Sequence, residues 1–198
     1  MRLAVAAVLF LVLAALASSG ATASMDRAAT VWVQRTAPGP DLAAAVFVFL
    51  GDAEVVIPLA VLVGAALYRR DRARGGGILW LAAALVAASA LAVVLKRLIP
   101  SPGPPPALQR PVPFRLGANL PTPFSFPSGH TTRTTLIAGT LLRRHPALAG
   151  AVLLCMMAAL TYLGDHWATD VLGGLCLGWV CVEILRYLRC LRPAARGR

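Results

Sequence analysis

The chain has 198 residues, of which 58% are hydrophobic and only 14% are charged. Such a composition excludes an ordinary soluble domain and is typical of a polytopic membrane protein. The net charge of +11 lies mainly in short loops and at the C-terminus, with no basic face interleaved with aromatic residues. We therefore attribute this charge to membrane topology and expect no nucleic-acid partner.

The first 23 residues fit two interpretations. Arg2 precedes an apolar run from Leu3 to Ala17, and the segment ends in Ala-Thr-Ala at Ala23. A retained first helix, which we favour, and a secretory signal peptide share this positive start, apolar stretch and Ala-x-Ala ending. Residues 25–50 then mix charged and apolar positions, which indicates an amphipathic segment in the outer membrane interface.

Two apolar runs follow, and each is predicted to span the membrane. The first, residues 55–68, ends in an arginine-rich string at 69–74. Three glycines then lead into the second run, residues 78–95.

Residues 96–129 form a loop of a different kind. Ten of the fifteen prolines lie in it, so the loop cannot be the interior of a helix or a sheet. It begins with the only lysine of the chain, Lys96, and carries Arg97, Arg110 and Arg115. Long loops that proline residues hold in an ordered conformation usually have a function. We therefore predict that this loop is catalytic.

The remaining apolar runs are predicted as helices. Residues 132–142 are short for a membrane span, and Arg-Arg-His-Pro at 143–146 ends that run. Residues 147–163 are long enough to span the membrane. A turn at Gly164-Asp165 then leads into a last span, residues 166–188.

The positions of the arginines predict the orientation. The strings at 69–74 and 143–145 fall on one side of the membrane with the basic tail, residues 191–198, and the positive-inside rule makes that side cytoplasmic. Loop 96–129 and the turn at 164–166 then face outwards. We predict an all-α bundle of about six transmembrane helices, in which residues 1–190 form one domain of an integral plasma-membrane protein.

The string Pro127-Ser128-Gly129-His130 predicts an anion site. Proline stops any preceding regular structure, Ser128 is a good helix N-cap, and Gly129 lets the backbone approach a ligand closely. The helix that follows would direct free N–H groups and its positive dipole end towards the space beside His130.

A second string on the outer side supplies a histidine and a carboxylate. His166 and Asp170 are four residues apart, so a helix would place them on one face. The carboxylate can then fix the imidazole tautomer and support a developing positive charge. Two histidines, a carboxylate and an anion site suggest phosphoryl transfer.

These residues resemble the type-2 phosphatidic acid phosphatase superfamily, whose integral-membrane members remove phosphate from lipid phosphates and diphosphates. The first family motif is Lys, six residues, then Arg-Pro, and Lys96 and Pro104 match its two ends. The second, Pro-Ser-Gly-His, is matched in full at 127–130. The third is Ser-Arg, five residues, His, three residues, Asp, and His166 and Asp170 match its end.

The resemblance implies a role for each matched residue. His166 would be the nucleophile and form a phosphohistidine, Asp170 would hold its ring, and His130 would protonate the leaving group. The phosphoryl oxygens would be held by Lys96, the Ser128 hydroxyl and the Gly129 backbone N–H. The implied substrate is a membrane lipid phosphate or polyprenyl diphosphate, and no metal or other cofactor is implied.

Two arginines of the family motifs are missing. Gly103 stands at the first position and Leu160 at the second, although bidentate guanidinium contacts are the usual means of binding a transferring phosphoryl group. An active protein must therefore supply another arginine. Arg133, three residues after His130 on the same helix face, is the first candidate. Arg110 of an Arg-Pro pair is the second.

Arg97 is a third arginine on the outer side. It directly follows Lys96, so it is expected to point away from the Lys96 side chain if both residues are in a helix.

Three classes of function remain open from the sequence. We favour an active lipid phosphatase with a rebuilt phosphate site over a non-catalytic relative that binds lipid phosphate head groups. The third class is a small transporter or a metal-dependent membrane hydrolase. Its metal ligands would come from His130, His166, Asp165 and Asp170.

Overall fold

The structure is a computed structural model, and it describes residues 3–37, 39–112 and 122–191. In these ranges the regular elements are α-helices and one 3₁₀ turn at Pro106–Leu108. The helices are α1 (Leu3–Ser18), α2 (Ala23–Thr36), α3 (Asp41–Phe49), α4 (Ala53–Tyr68), α5 (Arg72–Leu98), α6 (Gly129–Leu141), α7 (Pro146–Leu163) and α8 (Ala168–Leu191).

The described helices include three that are individually long and apolar enough to cross a membrane, namely α5, α7 and α8. The pairs α1–α2 and α3–α4 bend by 96° and 50°, and the number rises to five if each pair is one span. An all-helical membrane fold is therefore confirmed. The sequence suggested about six spans because it counted α6, whose 13 residues cover only about 20 Å of a hydrocarbon core of about 30 Å.

Helices α6 and α8 pack closely near their N-terminal ends. A Cβ atom at Gly174 of α8 would collide with the carbonyl oxygen of Ser128 and would lie 3.0 Å from Cβ of Thr131. Glycine at this position lets the start of α6 rest directly against the start of α8. The two strings that carry the candidate chemistry are thereby brought together.

The first two helices cover the start of α8. Phe10 of α1 packs on Phe126, with ring centroids 5.5 Å apart, and belongs to a cluster that includes Cys176 of α8. The buried Asp26 carboxylate of α2 accepts hydrogen bonds from the backbone N–H and the hydroxyl of Thr169, each at 2.9 Å. The sequence predicted one amphipathic segment over residues 25–50, whereas the structure divides it between α2 and α3.

The described part of the proline-rich loop is attached to the α7–α8 connection. The Trp167 indole donates to the Pro102 carbonyl at 2.8 Å, and the Arg110 backbone N–H donates to the Leu163 carbonyl at 2.9 Å. These bonds fix the loop over the ends of α5 and α7. Arg115 and most of the predicted tail, residues 192–198, lie outside the described residues.

Candidate active site

A cavity of about 830 Å³ lies where the last turn of α5, the first turn of α6 and the end of α7 meet the α3–α4 turn. Five of the residues expected to act on phosphate line it, and they are Lys96, Gly129, His130, Arg133 and His166. The ends of three helices therefore bring together side chains that are up to 70 residues apart in the sequence. Apolar residues of α3 and α5 form one part of the wall, and residues of the proline-rich loop form another.

The two histidines face each other across this cavity. Their ring centroids are 6.4 Å apart and their planes are inclined by 63°, so both rings are within reach of one phosphoryl group. Within the described ranges, no three His, Cys, Asp or Glu side chains are grouped closely enough to hold one metal ion.

His166 lies in the link between α7 and α8, and two groups contact its Nδ1 atom. The Ser125 hydroxyl is 3.1 Å away and the Asp170 carboxylate is 3.4 Å away. Ser125 also donates a short hydrogen bond to the same Asp170 oxygen, so its own oxygen is left to accept the proton on Nδ1 of His166. This arrangement places the proton on Nδ1 and leaves the Nε2 lone pair available as a nucleophile.

The environment of His166 also favours its neutral form. Burial lowers the pKa of this imidazole below its ordinary value, the nearby Lys96 ammonium lowers the pKa further, and the Asp170 carboxylate acts in the opposite direction. A pKa below the ordinary value of about 6.5 leaves the ring unprotonated at neutral pH. A nitrogen nucleophile requires that state.

Asp170 does not line the cavity and is fully buried behind His166. One of its oxygens accepts hydrogen bonds from the Ser125 hydroxyl and, at 2.9 Å, from the Trp167 backbone N–H. This is the position required of a carboxylate that orients a histidine.

No motif in the sequence marks Ser125 as part of the site. Ser125→Ala is expected to lower kcat on a lipid phosphate about tenfold or more, because the hydrogen bonds that orient His166 and Asp170 are lost. KM should change little, since Ser125 does not have to touch the phosphate. Steady-state kinetics with the purified protein in detergent measures both constants. An unchanged kcat would mean that the direct His166–Asp170 contact is sufficient.

Arg133 lines the cavity, and a backbone carbonyl fixes its guanidinium. Its Nε donates to the Gly51 carbonyl at 2.9 Å, and only 7% of the residue is exposed. Nη1 would lie 3.1 Å from a Cβ atom at Gly129, so the missing side chain there gives the guanidinium its room. In the described part of the chain, the two terminal nitrogens have no hydrogen-bond partner. They are therefore free to bind a phosphoryl group in a bidentate manner.

The structure does not bring Arg110 to the cavity. Its guanidinium bonds the Asp41 carboxylate and the Gln34 carbonyl, each at 3.1 Å, and lies 4.3 Å from the centre of the Tyr162 ring. Since the backbone N–H of Arg110 is also fixed to Leu163, this arginine joins the loop to α2, α3 and α7.

Ser128 has a structural role in the described chain. The residue is fully buried, and its hydroxyl caps α6 by accepting the Thr131 backbone N–H at 3.4 Å, which confirms the predicted N-cap. Ser128 is not among the residues that line the cavity. A hydroxyl that does line it belongs to Ser125, three residues earlier.

The two positions at which the resemblance leads us to expect an arginine differ in their surroundings. Gly103 lines the cavity, whereas Leu160 is fully buried in the hydrophobic core. Arg97, which was expected to point elsewhere, also lines the cavity and is exposed.

A model of the PAP2 superfamily matches residues 77–191 of the chain. The decaprenylphosphoryl-5-phosphoribose phosphatase of Mycobacterium tuberculosis is 37% identical over 146 residues, which cover 71% of this chain and 75% of the relative. Two strains, CDC 1551 and H37Rv, give the same figures.

A crystal structure described as the first transmembrane PAP2-type phosphatidylglycerolphosphate phosphatase, from Bacillus subtilis, has the same fold. It superimposes with a TM-score of 0.80 at 24% identity and covers 98% of this chain and 99% of its own. The family match extends over more than half of the chain, and the helices superimpose over nearly all of it. The chain therefore belongs to the PAP2 superfamily and is an integral-membrane phosphatase of that family.

Proposed function

We propose that this membrane phosphatase hydrolyses the phosphate of a membrane lipid through a phosphohistidine at His166. The observation that carries the proposal is the placement of His166 opposite His130 across a cavity that Lys96 and Arg133 also line. A nucleophile, an acid and two cations thus line one cavity.

In the first step, Nε2 of His166 attacks phosphorus and the bond to the lipid oxygen breaks. His130, in its protonated form, gives a proton to that leaving oxygen, so the lipid departs as an alcohol or as the shorter phosphate. The imidazole ring of His166 becomes positively charged, and the Asp170 carboxylate 3.4 Å from Nδ1 stabilises that charge. Lys96 and Arg133 bind the oxygens of the transferring group.

In the second step, His130 is neutral and accepts a proton from a water molecule as its oxygen attacks phosphorus. The P–N bond breaks, its electron pair returns to Nε2 of His166, and inorganic phosphate leaves. Both histidines then have their initial protonation states.

The apolar wall of the cavity supports a lipid substrate. Ala45, Val48 and Phe49 of α3 face the cavity from one side, and Val93 and Val94 of α5 also line it. We propose that the hydrocarbon chain lies along this wall while the phosphate reaches the histidines. The relative from M. tuberculosis makes a polyprenyl-linked phosphosugar the first substrate to test, ahead of phosphatidic acid, phosphatidylglycerol phosphate and polyprenyl diphosphate.

We also propose that the cavity opens on the outer side of the plasma membrane. Lys96 and His166 lie at helix ends opposite to the ends that carry the arginine strings at 69–74 and 143–145. The positive-inside rule then places the strings and the C-terminus in the cytoplasm and the histidines outside.

Phosphate release from a substrate panel tests the function. The purified protein in detergent is expected to release phosphate from at least one of the four lipids named above, and equally well in the presence of EDTA. Loss of activity in EDTA would contradict a metal-free mechanism. A protein that releases nothing from any of them contradicts the proposed activity.

A second function has one specific observation in its favour. Gly103 and Leu160 stand where the family motifs have arginines, so a protein that binds lipid phosphate without cleaving it is the alternative. Vesicle binding that depends on lipid phosphate, without any turnover, would support that alternative.

A further inference from the structure

The α3–α4 turn at Gly51-Asp52 reaches into the cavity from a part of the chain outside the family match at 77–191. The Gly51 carbonyl accepts a hydrogen bond from Arg133, and the next residue contacts His130. One turn therefore holds both the acid and the cation proposed to act on phosphate.

Asp52 has the position of a helix N-cap but uses its side chain for another purpose. Its carboxylate makes no capping hydrogen bond to α4. Instead, Oδ1 lies 2.7 Å from Nε2 of His130, and the two side chains are only 14% and 16% exposed. The start of α4 is held by the backbone, since the Asp52 carbonyl accepts the N–H groups of Val55 and Val56.

Several charged and titratable groups surround His130. Arg133 lies one turn further along α6, and His166 faces His130 from the α7–α8 link. Lys96 and Arg97 of α5, Glu54 of α4 and Asp165 line the same cavity. Burial lowers the pKa of the His130 imidazole below its ordinary value, the hydrogen bond to the Asp52 carboxylate acts in the opposite direction, and the charges of Arg133 and His166 lower the pKa further. Asp52 is in direct contact with the ring.

We propose that Asp52 is a positioning residue that favours the protonated form of His130, with the Nε2–H bonded to Asp52 and the Nδ1–H directed to the leaving oxygen. In the described part of the chain, Nδ1 has no hydrogen-bond partner. When the P–O bond breaks, its electron pair stays on the lipid oxygen, which takes the Nδ1 proton, and a neutral imidazole remains bonded to Asp52. This inference rests on the proposed function, because it assigns Asp52 to the acid of that reaction.

Leaving-group dependence provides the test. The purified protein would be assayed with decyl phosphate, whose alkoxide needs a proton, and with 4-decyl-2-nitrophenyl phosphate, whose phenolate leaves without one. Asp52→Asn is expected to lower kcat at least about tenfold on the first and less than about threefold on the second. The alkaline limb of the pH profile on decyl phosphate should also move to lower pH.

Controls separate this role from a structural one. Asp52→Ser, which keeps a good N-cap residue, should give the same selective loss. Asp71→Asn changes the N-cap of α5 at the far end of α4 and should leave both rates unchanged. Equal losses on both substrates, or no loss on either, would overturn the inference for Asp52.

His130→Ala distinguishes this inference from the function on which it rests. It is expected to reproduce the selective loss on decyl phosphate. If His130→Ala loses the alkyl activity while both Asp52 variants keep it, only the role of Asp52 is wrong. If His130→Ala turns over both substrates normally, the acid assignment in the proposed function is wrong as well.

Discussion

His166→Ala is expected to reduce phosphate release from a lipid phosphate to the background rate. Nε2 of His166 would form the covalent bond to phosphorus, and alanine offers no nucleophile in its place. Phosphate release by the purified variant, compared with the wild-type protein at the same concentration, measures the effect. The thermal unfolding midpoint is the control, because His166 is only 6% exposed and its removal leaves a small cavity.

Trapping the intermediate makes this prediction specific. Acid-labile phosphate should be found on the wild-type protein early in the reaction with a ³²P-labelled substrate, and none should be found on His166→Ala. Asp170→Asn should impair turnover severely, since an amide in place of the carboxylate no longer holds the His166 proton on Nδ1. Normal turnover by His166→Ala would exclude the phosphohistidine mechanism.

The pH dependence follows from the same residue. His166 must be unprotonated to attack, and burial with the Lys96 charge lowers the pKa of its imidazole. On the acid side of the pH profile, activity of the wild-type protein should therefore be lost as the pH drops through a value below about 6.5, the ordinary pKa of histidine.

Helices and motif strings could be predicted from the sequence because their signals are local. Apolar runs predicted the helices, and Ser128 after Pro127 predicted the start of α6. Along the chain, the arginine strings alternate with the strings that carry the candidate chemistry. This alternation predicted that Lys96, His130 and His166 lie at one end of the bundle. The structure collects those residues around one cavity.

The contacts that the sequence could not predict join distant segments. Asp52 and His130 are 78 residues apart, and Ser125 and His166 are 41 apart, so no spacing rule applies to either pair. Arg110 was a candidate ligand on the assumption that its loop folds over the site. The position of Arg110 is instead fixed by Gln34 of α2 and Asp41 of α3. Because the sequence predicted those two helices only as one interfacial segment, these contacts could not be predicted.

Arg133→Ala is expected to lower kcat/KM on a lipid phosphate at least about tenfold, which corresponds to about 1.4 kcal/mol of transition-state stabilisation. An arginine aimed at a transferring phosphoryl group can contribute about a thousandfold or more. Arg133 is placed for this task, because it lines the cavity and Gly51 accepts its Nε–H. Steady-state kinetics on the best substrate of the panel provides the measurement.

Three other variants separate this role from a general loss of charge or of fold. Arg133→Lys keeps the charge without the planar fork and should recover only part of the activity. Arg186→Ala removes an exposed arginine that pairs with Glu183 on α8 and should leave kcat/KM unchanged. Arg110→Ala should lower the thermal stability more than kcat/KM, because it breaks contacts to Asp41 and Gln34 outside the cavity.

Restoring a motif arginine tests the non-catalytic alternative. Leu160→Arg would bury a charge in the hydrophobic core and is expected to unfold the protein, so it cannot serve this purpose. Gly103 lines the cavity, and a Cβ atom there would make an ordinary contact of 3.4 Å with Cβ of Ser125. An inert wild type that gains turnover in Gly103→Arg would establish the non-catalytic reading. An active wild type that Arg133→Ala does not weaken would instead mean that Lys96 and the backbone N–H groups bind the phosphate sufficiently well.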